Sequence, residues 1–533
     1  MAARQPERAA IKIPRGRTAD DKIDYLSLTF AELDSEVDAW ATKLKAKGVE
    51  RGDRVLVMVR QGLPLIAAAF ALFKVGAVPV IIDPGMGRKN FLACIARSNP
   101  RVLLGIPLAQ VMSRLFRSAF ASVEVRVWAS SSATARVGGK SGQPNLKCEI
   151  VASGANDLAA ILFTSGSTGA PKGVCYEHGM FESQVRLVRE TYGISPDEVD
   201  LPMLPIFALF SPALGMTTIV PELDPSRPAA VDPEKIVRAI QQEQVTTSFG
   251  SPTLWRKIFD YCLKNKITLP GMRRVLCAGA AVPASLWADA PRVLPNGKLH
   301  SPYGATEVLP VATTSSADIE LRPELGALIG RSLVENRVKI IALHEGPLAR
   351  LADTHELPVG FVGEIIVIGP TVTKAYDQLP AATAAAKIRA DDGAIWHRMG
   401  DAGRIDREGR LWFSGRIAER VETSTGPLYT EPVEQVFRGH PNVARCALIG
   451  LGQRGSQEPA VVVQTALGTS TDHAALAATL RELGKQHPHT SGIRKFFFHP
   501  SFPVDVRHNA KIHRLTLTQW AATATAYEPE PAL

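Results

Sequence analysis

The chain has 533 residues, 45% of them hydrophobic and 21% charged, with 61 Lys and Arg against 52 Asp and Glu, a formal charge of +9. That length calls for a large subdivided domain plus a smaller one, and that composition excludes wholesale disorder and an integral membrane protein. The basic side chains are scattered without a run of five, so nucleic acid is not indicated; a solvated surface, an acidic partner or anionic lipid head groups account for the charge.

The first residues, MAARQPERAAIKIPRGR, lack the apolar core of a secretory signal, and Asp20, Asp21 and Asp24 follow soon after, so a cytoplasmic protein is expected. The most apolar stretch, Leu63 to Pro84, is interrupted by Lys74, Gly76 and prolines, and reads as a helix followed by a strand. Strand-length apolar runs (VLVMV 55–59, VPVII 78–82, VLLGI 102–106, AAILF 159–163, RVLCAG 274–279) alternate with amphipathic stretches of helical length. This is the βαβ pattern of parallel sheets. From about Val338 the segments shorten (VKIIAL, GEIIVIG, LWFSG), as in a compact β module. A charged stretch at Arg416 (GRIAERVE) precedes a final mixed unit, and the domain boundary is placed there. The closing AATATAYEPEPAL reads as a frayed tail. Six cysteines stand far apart with no CxxC pair, which suits buried reduced thiols and offers no zinc site.

Between two of the apolar runs lies FTSGSTGAPKGV (163–174), with three glycines, four hydroxyls and a lysine in twelve positions. A Walker A loop needs GxxxxGK followed by Ser or Thr; here Pro171 stands before Lys172 and Gly173 after it. A GxSxG nucleophile elbow fails as well. What remains is a phosphate clamp, in which amides and hydroxyls donate to phosphate oxygens and Lys172 adds charge. A second glycine pattern, Gly450 to Gly455 (GLGQRG), spells GxGxxG but continues into SQEPAVVVQTA, a proline and a strand instead of a helix, so it reads as a hairpin loop.

The loop is accompanied, in order, by LTFAEL (28–33), FKVGAVPVIIDP (73–84), CAGAAV (277–282), YGATE (303–307), GEIIVIGPTVTKAY (363–376), WHRMGDAGRIDREGRLWFSGR (396–416) and NAKIHR (509–514). On these eight motifs the chain resembles the acyl-adenylate-forming superfamily. The resemblance implies an α/β fold: an N-terminal domain, residues 1–416, of two doubly wound sheets plus a small β-barrel-like module (about 320–416), then a small mobile α+β domain, 417–533, carrying Lys511. It implies ATP and magnesium as cofactors. Thr164, Ser165, Gly166, Ser167, Thr168, Gly169 and Lys172 would hold the β and γ phosphates. Ala278, Gly279 and Ala280, with Tyr303 and Gly304, would form the adenine slot. Thr306 would donate to the α phosphate and Glu307 ligate magnesium. Asp401 and Arg416 would bind the ribose, and Lys511 would neutralise charge as a carboxylate attacks the α phosphorus.

The acceptor is less plainly written. Relatives that acylate coenzyme A carry Asp-Asp and Ile-Lys after the arginine matched by Arg416; this chain has Ala418, Glu419, Val421 and Glu422, then TEPVE (430–434). A histidine usual in another motif is replaced by Ala208 in PIFA (205–208). The segments 201–229, 426–434 and 502–512 most resemble the β-lactone synthetases of bacterial long-chain olefin biosynthesis. That implies a long-chain 2-alkyl-3-hydroxy acid as substrate, activated as acyl-AMP and closed by its own hydroxyl, with enzymes that make the acid and consume the lactone as possible partners. Phe207, Ala208 and Phe210 would then line a pocket for alkyl chains, although a core strand explains the run 206–210 equally. A fatty acyl-AMP ligase, an acyl-CoA synthetase and a non-catalytic adenylate-binding scaffold are the rival readings. His178 and His508 are bases for the hydroxyl by residue type alone.

Overall fold

A computed structural model describes residues 1–129, 147–164, 170–224, 227, 230–466, 472–504 and 512–529. The first layer is a six-stranded sheet in the order Val125–Trp128, Val102–Gly105, Arg54–Met58, Val78–Ile81, Leu158–Thr164, Lys172–Glu177. Its first five strands run parallel and the last turns back antiparallel. Helices Phe30–Ala46 and Leu63–Lys74 cover one face, and Arg88–Ser98 the other. The LTFAEL motif is the start of the first of these helices: Thr29 Oγ1 accepts from the Glu32 amide at 3.2 Å, and the Glu32 carboxylate accepts from the Thr29 amide at 2.7 Å. This reciprocal cap satisfies two amides that a helix terminus otherwise leaves open.

The second sheet has fourteen strands. Its parallel middle includes Thr247–Gly250, Arg274–Cys277 and Lys298–Ala305. The β module expected from about residue 320 is its antiparallel end, running through Ala327–Ser332, Leu411–Arg416, Ile395–Ile405, Gly363–Ile368 and Arg337–Ile341. At the other edge lies the hairpin Ala9–Arg17 and Ile23–Thr29. A third sheet, Val443–Leu451, Glu458–Thr465 and Lys495–Phe498, packs helices Thr430–Arg438 and His473–Lys485 on one face and Arg514–Ala521 on the other. Among the described residues no helix is long and apolar enough to cross a membrane.

Leu63–Lys74 is a helix and Val78–Ile81 a strand, as the apolar stretch implied. The GLGQRG segment joins two antiparallel strands in register at Leu451 and Glu458, so it is the expected hairpin loop. Two expectations are corrected. Residues 206–210 form no strand: Pro205 opens a 3-10 turn, Pro205–Leu209, that leads into the short helix Phe210–Leu214. A proline cannot complete a strand ladder, and Asp200 pins the turn by accepting from Ser211 Oγ at 2.5 Å. Nor is the tail frayed through Tyr527, because its amide and carbonyl exchange hydrogen bonds with Phe496 at 2.9 and 3.0 Å. The Tyr527 ring stands edge-on to Phe498, 5.2 Å away, and burial of that aromatic surface is what holds the segment. All six cysteines are free, and burial raises the thiol pKa of Cys175 and Cys262 to about 11.

Candidate nucleotide and acyl site

Thr164 ends its strand and is the direct antiparallel partner of Lys172. The two described ends of the glycine-rich segment therefore lie side by side on adjacent strands of the first sheet. Ser165, Gly166, Ser167, Thr168 and Gly169 lie outside the described residues.

The same hairpin fastens the first sheet to the second. Cys175 donates its amide to Ala375 O at 3.1 Å, Asp377 donates to Gly173 O at 2.7 Å, and Arg54 pairs with the buried Asp377 at 2.8 Å. Tyr176 Oη donates to Thr306 O. These bonds bring three separated motifs to one place. Lys172 Nζ lies 4.8 Å above the ring of Tyr376, whose hydroxyl donates to Glu307 Oε1 at 2.7 Å. Thr373 donates both its amide and its hydroxyl to the Glu307 carbonyl, at 2.9 and 3.0 Å. Glu307 is thus fixed at its backbone and at one carboxylate oxygen, while Oε2 meets no donor among the described residues. That half-satisfied, partly exposed carboxylate fits a magnesium ion arriving with a nucleotide, for which phosphate oxygens and water supply the other ligands. No cluster of three or more metal-binding side chains exists among the described residues.

Across the crevice, Asp401 and Arg416 face each other on neighbouring strands. Arg416 Nη1 is 2.9 Å from Asp401 Oδ1 and donates to Met399 O at 3.0 Å. Tyr303 Oη donates to Asp401 Oδ2 at 2.5 Å, and burial, reinforced by Asp401, holds that phenol well above its ordinary pKa. A buried carboxylate gripped by a phenol and a guanidinium is an acceptor ready for sugar hydroxyls. Tyr303 and Gly304 lie on the strand Lys298–Ala305 that pairs with Arg274–Cys277, and the latter leads into Ala278, Gly279 and Ala280. Gly279 has φ +98°, a turn that any side chain would strain, and all three residues remain at least partly open.

Phe207 stacks on Phe249 with ring centroids 3.7 Å apart and lies 6.1 Å from Phe210. Both join a cluster with Leu214, Met216, Leu276 and Ala278, so the aromatic wall reaches the residue that follows strand Arg274–Cys277. Ala208 does not belong to it; it packs into the separate core beneath Leu63 and Leu28. His178 sits in the first turn of helix His178–Tyr192, edge-on to Phe73 at 5.8 Å, with none of the proposed nucleotide residues among its described contacts. Lys511 and His508 lie outside the described residues, but the flanks of Lys511 are anchored: Ile512 bridges to Val504, and His513 donates to Pro503 O at 2.9 Å.

Three groups went unread in the sequence. Lys387, buried, donates to Thr373 Oγ1 at 3.3 Å, and burial lowers its pKa to about 7. His397 is its strand partner, and burial with Lys387 nearby holds the imidazole well below its usual pKa. Third, the altered hinge is an ion cluster: Arg514 reaches Glu419 at 2.7 Å and Glu434 at 2.9 Å, and Glu434 also accepts from the Leu448 amide at 3.0 Å. The signal was present, since Glu434 closes TEPVE and Arg514 closes NAKIHR.

The profile of the AMP-binding enzyme family matches residues 1–377. The olefin β-lactone synthetase of Xanthomonas campestris is 43% identical over 98% of this chain and 96% of its own, and that of Stenotrophomonas maltophilia 42% identical over the same shares. Among solved structures, ATP-bound MatB from Rhodopseudomonas palustris superposes with a TM-score of 0.78 at 22% identity, over 97% of this chain and 96% of that one. The o-succinylbenzoate coenzyme A synthetase of Bacillus subtilis, in complex with AMP, gives 0.77 at 22% identity over 99% and 98%. The overall form is therefore that of the adenylating enzymes, a large sheet-rich N-terminal domain and a smaller C-terminal one.

Proposed function

We propose a function from one premise: the chain belongs to the AMP-binding enzyme family. It is an AMP-forming ligase, and its substrate is a long-chain 2-alkyl-3-hydroxy fatty acid, converted with ATP to a β-lactone, AMP and pyrophosphate. The observation that carries this reading is similarity to two olefin β-lactone synthetases along nearly the whole chain. The gathering of Lys172, Tyr376 and Glu307 opposite Asp401, Arg416 and Tyr303 supports it.

Residues 1–416 act as the adenylating domain and 417–533 as a small domain that delivers Lys511. Thr164 to Gly169 and Lys172 hold the β and γ phosphates; Ala278, Gly279 and Ala280 border the adenine; Asp401 and Arg416 take the ribose. Thr306 donates to the α phosphate. Glu307 would hold magnesium, which when bound would supply charge neutralisation for the pyrophosphate. The substrate carboxylate attacks the α phosphorus, with Lys511 balancing the charge that builds there, and the bond to pyrophosphate breaks. In the second step the 3-hydroxyl oxygen attacks the acyl carbon, AMP leaves, and the hydroxyl proton is released. A nucleophile carried by the substrate has high effective molarity and needs no thiol site, which suits the absence of the Asp-Asp hinge pair and of the histidine at Ala208. Phe207 and Phe210 border the alkyl chains. The protein works in the cytoplasm beside the enzymes that supply the hydroxy acid and consume the lactone.

Incubation with ATP, magnesium and a 2-alkyl-3-hydroxy acid should give a lactone ring by NMR with one AMP per ring. Acyl-CoA formed only when coenzyme A is present, or ADP in place of AMP, overturns the reading. Glu307→Gln should lower kcat about 100-fold, and Lys511→Ala should cut pyrophosphate release at least as far.

A further inference from the structure

The helix Pro107–Leu115 lies beside the edge strand of the first sheet, and its apolar residues are divided between two faces. Ala109 is buried, whereas Leu108, Val111 and Leu115 are 65%, 48% and 72% exposed. Their spacing of three and four places them in one stripe along the outward side. Trp128 extends the stripe. It ends the edge strand, 46% exposed, in register with Gly105, where an added Cβ would lie 2.8 Å from Ala109. The indole therefore flanks the first turn of the helix.

Apart from Glu124, the charged residues between Pro107 and Trp128 are all basic. Arg114 and Arg117 are exposed beside Leu115 and meet no carboxylate among the described residues. Glu124 is the lone acidic residue between Pro107 and Trp128, and Arg101 neutralises it at 3.0 Å. Isolated exposed leucines are ordinary on a protein surface; a stripe of three with a tryptophan and two unpaired arginines is not.

We propose that this face docks on an anionic membrane surface. Leu108, Val111, Leu115 and Trp128 enter the boundary between head groups and acyl chains, and Arg114 and Arg117 contact lipid phosphates. The charge decides between occupants: an anionic bilayer matches a short apolar stripe rimmed by arginine, and an indole favours the wet–dry boundary. Docking involves no covalent step, and it stands independently of the lactone-forming reaction because binding is read without turnover.

The test is co-sedimentation of the full chain with phosphatidylcholine vesicles containing about one-third phosphatidylglycerol, and with pure phosphatidylcholine vesicles, at low and at high salt. Binding to the anionic vesicles alone is expected, weakened by salt, with a blue shift of tryptophan emission that Trp128→Phe removes. Leu108→Glu combined with Leu115→Glu should lower partition at least about tenfold. Because both positions are exposed, thermal melting and pyrophosphate exchange should stay unchanged in that variant. Arg114→Glu with Arg117→Glu should abolish the preference for anionic lipid. No sedimentation with anionic vesicles at low salt, or sedimentation indifferent to both double variants, overturns the proposal. So does a stoichiometric complex with another protein that the leucine variant breaks while vesicle binding persists.

Discussion

Lys387 has the chemistry least suited to its surroundings. Its folded-state pKa of about 7 lies below the ordinary lysine value of 10.5, so between these values the unfolded chain holds a proton that the folded chain does not. Stability therefore rises as pH climbs from about 7 towards 10.5, and the full penalty of this buried amine is felt below that window. Lys387→Met should raise the melting temperature at pH 7 by about 2 °C, and the advantage should shrink by pH 9.5. A pH-independent difference in melting temperature would contradict the assignment. Asp401 is a sharper case, because both Tyr303 and Arg416 depend on it. Asp401→Asn should raise KM for ATP about 10- to 100-fold in pyrophosphate exchange while leaving the fold intact. The candidate site residues were legible in the sequence as motif letters, whereas Tyr376 stood there only as the last letter of GEIIVIGPTVTKAY with no role attached and Lys387 in no motif at all. Neither is marked by spacing; Tyr376 meets Lys172 and Glu307 only because the hairpin Leu158–Thr164 and Lys172–Glu177 pairs with residues two hundred positions away, and Lys387 stands out only because folding buries it against Thr373.

Among elements, the helices and strands that form through local rules were readable. Leu63–Lys74 and the parallel strands carry their periodicity openly, and the Thr29–Glu32 cap explains why LTFAEL starts a helix. The turn at Pro205–Leu209 was harder, since an apolar run of five does not say which period it follows. The bridge pairing Tyr527 with Phe496 depends on a partner 31 residues earlier, beyond any local pattern. The ion cluster at the third sheet is the element whose removal should be felt most. Arg514 serves two carboxylates, Glu419 and the almost fully buried Glu434. Arg514→Met leaves both without their shared guanidinium and should cost about 3–5 kcal/mol. Hydrogen exchange in Val443–Leu451 and Glu458–Thr465 should accelerate accordingly; protection unchanged within about 1 kcal/mol would show that the cluster is not what holds this unit.

For the whole molecule, the two large sheets meet at bonds between distant segments, with Arg54–Asp377 and Tyr176–Thr306 on the seam. A non-hydrolysable acyl-adenylate analogue, touching both sides, should stabilise the protein by about 2.7 kcal/mol at a concentration one hundred times its Kd, seen as a raised melting temperature. Arg416→Ala should remove most of that gain. The strand Leu411–Arg416 is the last to join the fourteen-stranded sheet, and the chain leaves it at the side chain that grips Asp401. On the proposed function, sugar recognition and the pivot of the smaller lobe would share that single guanidinium, so an occupied nucleotide pocket and a particular lobe orientation would be felt by the same lever, and Arg416→Ala should disturb both together.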